Sequence, residues 1–332
     1  MNKRKLSSAL VLRFAAYGCL LIFAVGVLCY GISTKFGFKD LPKSTEEAFA
    51  YTYIYEEDAA SLRNISVDWL GGPVTLRFYA GDTVIVKEHA RRELQEHEKL
   101  QLELSGGDLE VHWGSSWLNI DLFAAEEKEL ELVVPRKFAK NFEEITFRSM
   151  SGDFLMEGVK AEKIQLQTLS GNMQLANIEA EEIKLSTNSG SITGETLVST
   201  EKLRIGTTSG NMQLHGLQGK AVTLDTTSGE IILEGTAEEM RFTNVSGKTD
   251  IMLTAWPERI EGDTVSGNTD ITANEAEEGF VCRFKSVSGD FYSTFETAET
   301  EEGYLHGAGL CEVNVTTTSG NVKLNKAGEP LG

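Results

Sequence analysis

The sequence predicts an all-β chain, a parallel β-solenoid of about 20-residue coils preceded by one N-terminal transmembrane helix. Three observations carry that prediction. The dipeptide Ser-Gly recurs nine times, at Ser151, Ser170, Ser189, Ser209, Ser228, Ser246, Ser266, Ser288 and Ser319, spaced 19, 19, 20, 19, 18, 20, 22 and 31 residues apart. Apolar residues keep a fixed register around each copy. Upstream, residues 14–32 form an uncharged apolar run.

The register gives the repeat its meaning. Six and four residues before each serine stand Ile145/Phe147, Ile164/Leu166, Ile183/Leu185, Leu203/Ile205, Val222/Leu224, Met240/Phe242, Ile260/Gly262, Cys282/Phe284 and Val313/Val315. Only Gly262 breaks the apolar rule. Two before the serine the residue is always small and polar, as in Ser149, Thr168, Thr187 and Thr207. Three and five after it come Met173/Leu175, Met212/Leu214, Ile231/Leu233 and Val322/Leu324 in the clearest copies, and Val159, Ile178, Leu197 and Leu217 sit eight after it. Period-2 alternation on both sides of a glycine turn reads as short strands with one face inward. Such a unit is too short for a βαβ crossover and has no helical spacing. It fits one solenoid turn, each coil stacking on the one before at about 4.8 Å. Apolar ladders then fill the core, and Ser/Thr ladders line a corner where hydroxyls bond from coil to coil. The Asp, Asn or Ser after the glycine (Asp153, Asn172, Ser191, Asn211, Asn268, Asp290, Asn321) suits a turn.

Taken in order, residues 1–13 form a basic head with Lys3, Arg4, Lys5 and Arg13. Residues 14–32 are 19 uncharged residues, close to the ~20 that span a bilayer core. A cleaved signal peptide shares the basic head, but this run is longer than the usual apolar region and no small-x-small triplet follows it. An uncleaved anchor is the favoured reading. The positive-inside rule then puts the head in the cytoplasm and the rest outside. Residues 33–60 read as a membrane-proximal spacer. Residues 61–135 read as an N-terminal β cap with irregular coils: Ile65, Val67 and Trp69 alternate, Gly71-Gly72-Pro73 turns, and Val74, Leu76 and Phe78 alternate again. Leu100–Leu104 and Leu109–Trp113 flank Ser105-Gly106-Gly107-Asp108, a hairpin signal. Between them, His89–Lys99 reads as an exposed loop or short helix. The regular repeats occupy residues 136–328.

The net charge is −19, and −23 without the four head cations, which argues against nucleic acid as a partner. Acidic residues precede the inward pair in many coils, notably Glu181, Glu182, Glu238, Glu239, Glu277 and Glu278. Stacked, they form an acidic stripe. It reads either as a solvated edge that deters sideways strand pairing or as a surface for cations. Trp113 and Trp117 bracket a loop in the cap, with Phe123 and Trp69 nearby. Such rings cover a core or contact a ligand.

The run Leu-Glu-Leu-Val-Val-Pro, then Ile-Thr-Phe-Arg-Ser-Met-Ser-Gly-Asp and Ile-Gln-Leu-Gln-Thr-Leu-Ser-Gly-Asn-Met-Gln-Leu, resembles the bacterial putative-adhesin family of unknown function. That family includes LiaG-like single-span membrane proteins encoded beside cell-envelope stress systems. The similarity covers residues 62–326. It implies an extracytoplasmic β-solenoid acting as a binding or structural module at the cell envelope, with an envelope protein or wall polymer as partner and no catalytic residue to carry over.

The residues themselves offer little chemistry. His89, His97, His112, His215 and His306 are scattered without metal spacing, and no nucleotide, hydrolase or calcium-repeat motif occurs, so neither metal nor cofactor is expected. A polysaccharide lyase or glycosidase is the enzyme alternative, since both need convergent acidic groups. Its candidates are the outward Asp250, Asp270 and Asp290, the first two predicted one coil apart. Cys282 and Cys311 fall on one face of adjacent coils. Their two-residue offset places the Cα atoms about 8 Å apart, beyond disulfide reach unless the long final spacing resets the register. A packed thiol pair is the other reading.

Overall fold

In the computed structural model, residues 49–114, 128–275 and 279–328 are described. The basic head, the apolar run 14–32, Trp117, Phe123, Glu277 and Glu278 lie outside them. Among the described residues no helix is long and apolar enough to cross a membrane.

The unit Phe49–Gly332 is all-β. Its middle is a parallel stack whose strands are Phe154–Thr168, Met173–Thr187, Ile192–Thr207, Met212–Ser228 and Ile231–Ser246. Ile164, Ile183, Leu203, Val222, Met240 and Ile260 form one ladder, and Leu166, Leu185, Ile205, Leu224 and Phe242 the next. All are buried, as the alternation requires. Gly262 is no defect in this core. A Cβ there would run into the ring of Phe242, whose extra volume fills the space.

The Ser-Gly dipeptide proves to be a packing device. Gly152, Gly171, Gly190, Gly210, Gly229, Gly247 and Gly267 stack in one column, and a Cβ on any of them would be driven into the backbone of the glycine one coil earlier. Beside them runs the small polar column. Thr187 Oγ1 donates to the carbonyl of Gly171 at 3.1 Å, Thr207 Oγ1 to Gly190 at 3.2 Å, and Asn244 Nδ2 to Gly229 at 3.2 Å. The expected coil-to-coil hydroxyl ladder is therefore only partial: Ser149, Thr168, Thr226, Thr264 and Thr317 are in the same column, and their buried hydroxyls bond to no protein group among the described residues. Across the turn a third column forms: the backbone N–H of Asn172 donates to Asp153 Oδ1 at 2.7 Å, Ser191 to Asn172 Oδ1 at 3.0 Å, and Glu230 to Asn211 Oδ1 at 3.0 Å. These side chains satisfy donors that a strand end would otherwise leave bare.

Coil order departs from the expectation at both ends. Strand Asn64–Gly71 lies between Asp108–His112 and Phe142–Ser151, and Val74–Tyr79 lies between Glu129–Pro135 and Phe154–Thr168. The first coil of the chain is therefore second in space. At the far end Cys311–Thr317 lies between Arg259–Ser266 and Phe280–Ser286, while Val322–Lys326 lies between Thr269–Ala273 and Phe291–Ser293. The glycine column obeys the same order: Gly320 stacks on Gly267, and Gly289 on Gly320. A constant repeat length cannot tell a coil from its neighbour's neighbour, so sequence spacing implied a simple succession.

Antiparallel strands close each end. Thr83–Ala90 pairs with Glu129–Pro135, and Tyr51–Asp58, read from the sequence as spacer, pairs with Thr83–Ala90. Gln101–Ser105 folds onto Asp108–His112, with Gly106 and Gly107 at φ 62° and 98° supplying the left-handed turn that the hairpin signal anticipated. At the other end Gly303–His306 and Ala298–Thr300 add to Phe280–Ser286. Residues 91–99 form a loop rather than a helix.

Candidate functional site

The acidic candidates fall on two neighbouring ladders. Glu181, Glu182, Glu238 and Glu239 are all exposed. The ladder through Glu182 and Glu239 reads Glu144, Lys163, Glu182, Lys202, Ala221, Glu239, Arg259, Glu312, so cations interleave with carboxylates. Lys163 Nζ lies 2.8 Å from Glu144, whose carboxyl it holds below the usual range, and Arg259 lies 3.5 Å from Glu312. One position earlier Lys220 pairs with Glu201 at 3.1 Å. That earlier position also sets Glu143, Glu162 and Glu181 on successive coils, so only the ladder through Glu182 and Glu239 interleaves its charges.

Asp250 and Asp270 are neighbours on adjacent coils, as predicted. Lys248 Nζ sits 2.7 Å from Asp250 and 3.3 Å from Asp270. Hydrogen bonding to Asp250 and then Asp270 holds this ammonium above its ordinary value. Asp290 is not with them. Its N–H donates to Asn321 Oδ1 at 2.9 Å, which makes it part of the turn column. Two carboxylates clasped by one ammonium, with the third two coils further along and out of their register, do not converge on a common substrate position.

Cys282 and Cys311 are free and buried. Cys282 pairs in register with Val313 and Cys311 with Phe280, so the two-residue offset persists. Burial pushes each thiol up to about 12; the neighbouring Cys311 adds to the effect on Cys282, and Glu312 to that on Cys311.

Trp113 belongs to a cluster that the sequence did not reveal. Its ring meets Trp69 edge-on at 4.7 Å, and the ammonium of Lys128 lies 4.0 Å from the Trp113 centroid and 5.0 Å from that of Trp69. Lys128 and Glu88, 2% and 0% exposed, form an ion pair of 2.5 Å. Lys128 also donates to the carbonyls of Glu98 and Trp113, both at 2.8 Å, while Glu88 accepts from the N–H of Leu100 at 3.1 Å. The phenol of Tyr55, 3.4 Å from Glu88, is pushed up by burial and by that carboxylate. Every arm of the buried pair is bonded within the cap, so this is a structural clasp and the ring of Trp113 serves it.

A separate concavity lies elsewhere. An open groove of 1080 Å³ runs between the crossing segment 136–141 and the outer face of four successive coils. Thr75, Leu155, Gln174 and Thr193, one residue per coil in register, form its floor. Arg77, Arg136, Lys137 and Lys140 line one side against Glu157 and Glu195. At its rim the chain turns through a left-handed corner at Gly158, Asn177 and Thr196 (φ 71°, 54° and 57°), a costly conformation for the β-branched threonine. The signal that could have found this site is the Arg-Lys-Phe-Ala-Lys run after Pro135, a cationic patch in an acidic chain.

Residues 62–325 match the family described as Toastrack DUF4097. The chain belongs to that family. Its fold is similar to solved structures of a putative adhesin from Bacteroides fragilis (10% identity, 83% of this chain and 97% of that one, TM-score 0.40) and one from Parabacteroides distasonis (12%, 82% and 97%, 0.38). A third, described as a putative lipid binding protein from Parabacteroides distasonis, aligns at 10% identity over 82% and 97% with a TM-score of 0.49. No curated protein matches the sequence.

Proposed function

We propose that this toastrack protein is a membrane-anchored, extracytoplasmic binding module of the bacterial cell envelope and carries no catalytic chemistry. The observation that supports the reading best is the open groove of 1080 Å³, floored by side chains that successive coils hold in register. A stacked scaffold fixes these groups before any ligand arrives, which lowers the ordering cost of binding. The uncharged apolar run 14–32 supports the anchor, and the resemblance to proteins encoded beside stress systems supports a use under envelope stress.

The test is capture of the full-length chain from cross-linked cells, beside its incubation with purified wall polymer. Reproducible recovery of an envelope component with unchanged polymer length supports the module. Polymer shortening that disappears in Asp250→Asn/Asp270→Asn establishes an enzyme and overturns it.

A further inference from the structure

We infer that the groove between segment 136–141 and the coil faces binds a linear anionic polymer bearing hydroxyl groups, such as a phosphodiester-linked polyol. This inference rests on the binding-module reading and names the ligand class of the same groove.

Charge makes the first argument. The chain carries −19, yet the groove presents four cations against two carboxylates. Long-range attraction would not gather anions to this protein, so a local reversal of sign selects them at one place. Two of the four cations are weakly engaged: Lys137 lies 3.2 Å from Asp82, itself 93% exposed, and Arg77 lies 3.6 Å from Glu131. Exposed pairs of this kind contribute little and exchange readily for a better acceptor. Arg136 and Lys140 are exposed and form no ion pair among the described residues. Nothing in the fold requires their charge.

The floor makes the second argument. Gln174 and Thr193 offer amide and hydroxyl groups on successive coils, beside Leu155 (42% exposed) and the buried Thr75. Such a row can bond hydroxyls and cover methylene groups along an extended chain, while the cations at its side take the anionic groups. The repeat of about 4.8 Å between coils suits a ligand that itself repeats, more than a single small anion. The cationic pair Lys184 and Arg204 on the next exposed ladder lacks this geometry, because it lies on an open strand face outside the groove.

The experiment measures binding of fluorescent poly(glycerol phosphate) to the full-length protein in mild detergent, with neutral dextran of equal length and phosphatidylglycerol vesicles in parallel. The polymer binds, dextran does not, and raising salt from about 50 to about 200 mM weakens binding about tenfold, as release of a few counterions requires. Arg136→Glu/Lys140→Glu loses about tenfold or more in affinity and most of the salt response, while Lys184→Glu/Arg204→Glu changes it less than about twofold. Circular dichroism checks that both variants keep the β fold. Equal loss in both variants would mean diffuse charge attraction and overturns the groove. Equal binding of dextran, or preference for the vesicles, overturns the ligand class. If the wild type ignores the polymer while cell capture still recovers a partner, this inference fails and the binding module survives.

Discussion

Replacing Gly190 by alanine tests the packing logic on which the whole stack depends. The added Cβ would enter the carbonyl of Gly171 and lie 2.9 Å from Thr187 Oγ1. The column cannot absorb this by a side-chain rotation, because the obstacle is backbone, so the coils must separate locally. Overpacking of this kind costs about 1–3 kcal/mol. Separation also stretches the hydrogen bond from Thr187 Oγ1 to the Gly171 carbonyl, worth about 1 kcal/mol. The expected loss is about 2–4 kcal/mol, a fall in Tm of roughly 5–10 °C for a domain of this size. Gly206→Ala is the matched control: in the same coil, a Cβ there meets only the Asp225 carbonyl at 3.7 Å. It should leave stability unchanged or raise it by about 0.5 kcal/mol through a stiffer unfolded chain. Thermal and urea denaturation followed by circular dichroism decide the matter. A Gly190→Ala protein as stable as wild type, or an equal loss in both variants, would refute the stacked-glycine argument.

Three further outcomes follow from the geometry. Lys128→Met leaves Glu88 buried without its cation and should cost about 3–5 kcal/mol, much of it recovered in Glu88→Gln/Lys128→Met, as read from urea midpoints. Cys282 and Cys311, with thiols pushed up to about 12, should resist iodoacetamide at pH 8 in the native protein and react on unfolding, with no disulfide found by peptide mass mapping. Glu98 accepts from Arg92 at 2.6 and 2.9 Å and from the N–H of Gln95 at 2.8 Å, which lowers its carboxyl from 4.5 to about 2. Because the folded value lies below the unfolded one, its stabilising effect is complete above pH 4.5 and vanishes as pH falls toward 2. The stability gap between wild type and Glu98→Gln should therefore close over that interval.

Much of the fold was legible because a solenoid writes its packing locally. Ile164, Ile183 and Leu203 had to share a ladder once alternation and period were fixed, and they do. The hairpin at Gly106-Gly107 was legible for the same reason: its turn chemistry lies in adjacent residues. The meaning of the glycines was not, since a close approach between coils is invisible to a rule about single residues. The end coils escaped because equal repeats fit any stacking order, although the 31-residue final spacing was the mark of an excursion. Charges misled in another way. Register sets Lys163, Lys202 and Arg259 beside Glu182 and Glu239, whereas one position earlier Glu162 and Glu181 do follow one another, and counting acids could not separate the two ladders. Lys128 and Glu88 are 40 residues apart and carry no motif, so only the fold could join them.

The exchanged order of the end coils also has a mechanical meaning. Beyond the outer strand Tyr51–Asp58, the chain enters the stack at Asn64–Gly71, a strand bonded along both edges, and its last strand, Val322–Lys326, is bonded along both edges as well. Once Tyr51–Asp58, bonded along one edge, has peeled away, tension at Asn64–Gly71 or at Val322–Lys326 would load two ladders together, where a simple succession of coils would offer one. A protein tethered at one end and gripping a polymer with its flank would then yield at its grip before its scaffold came apart.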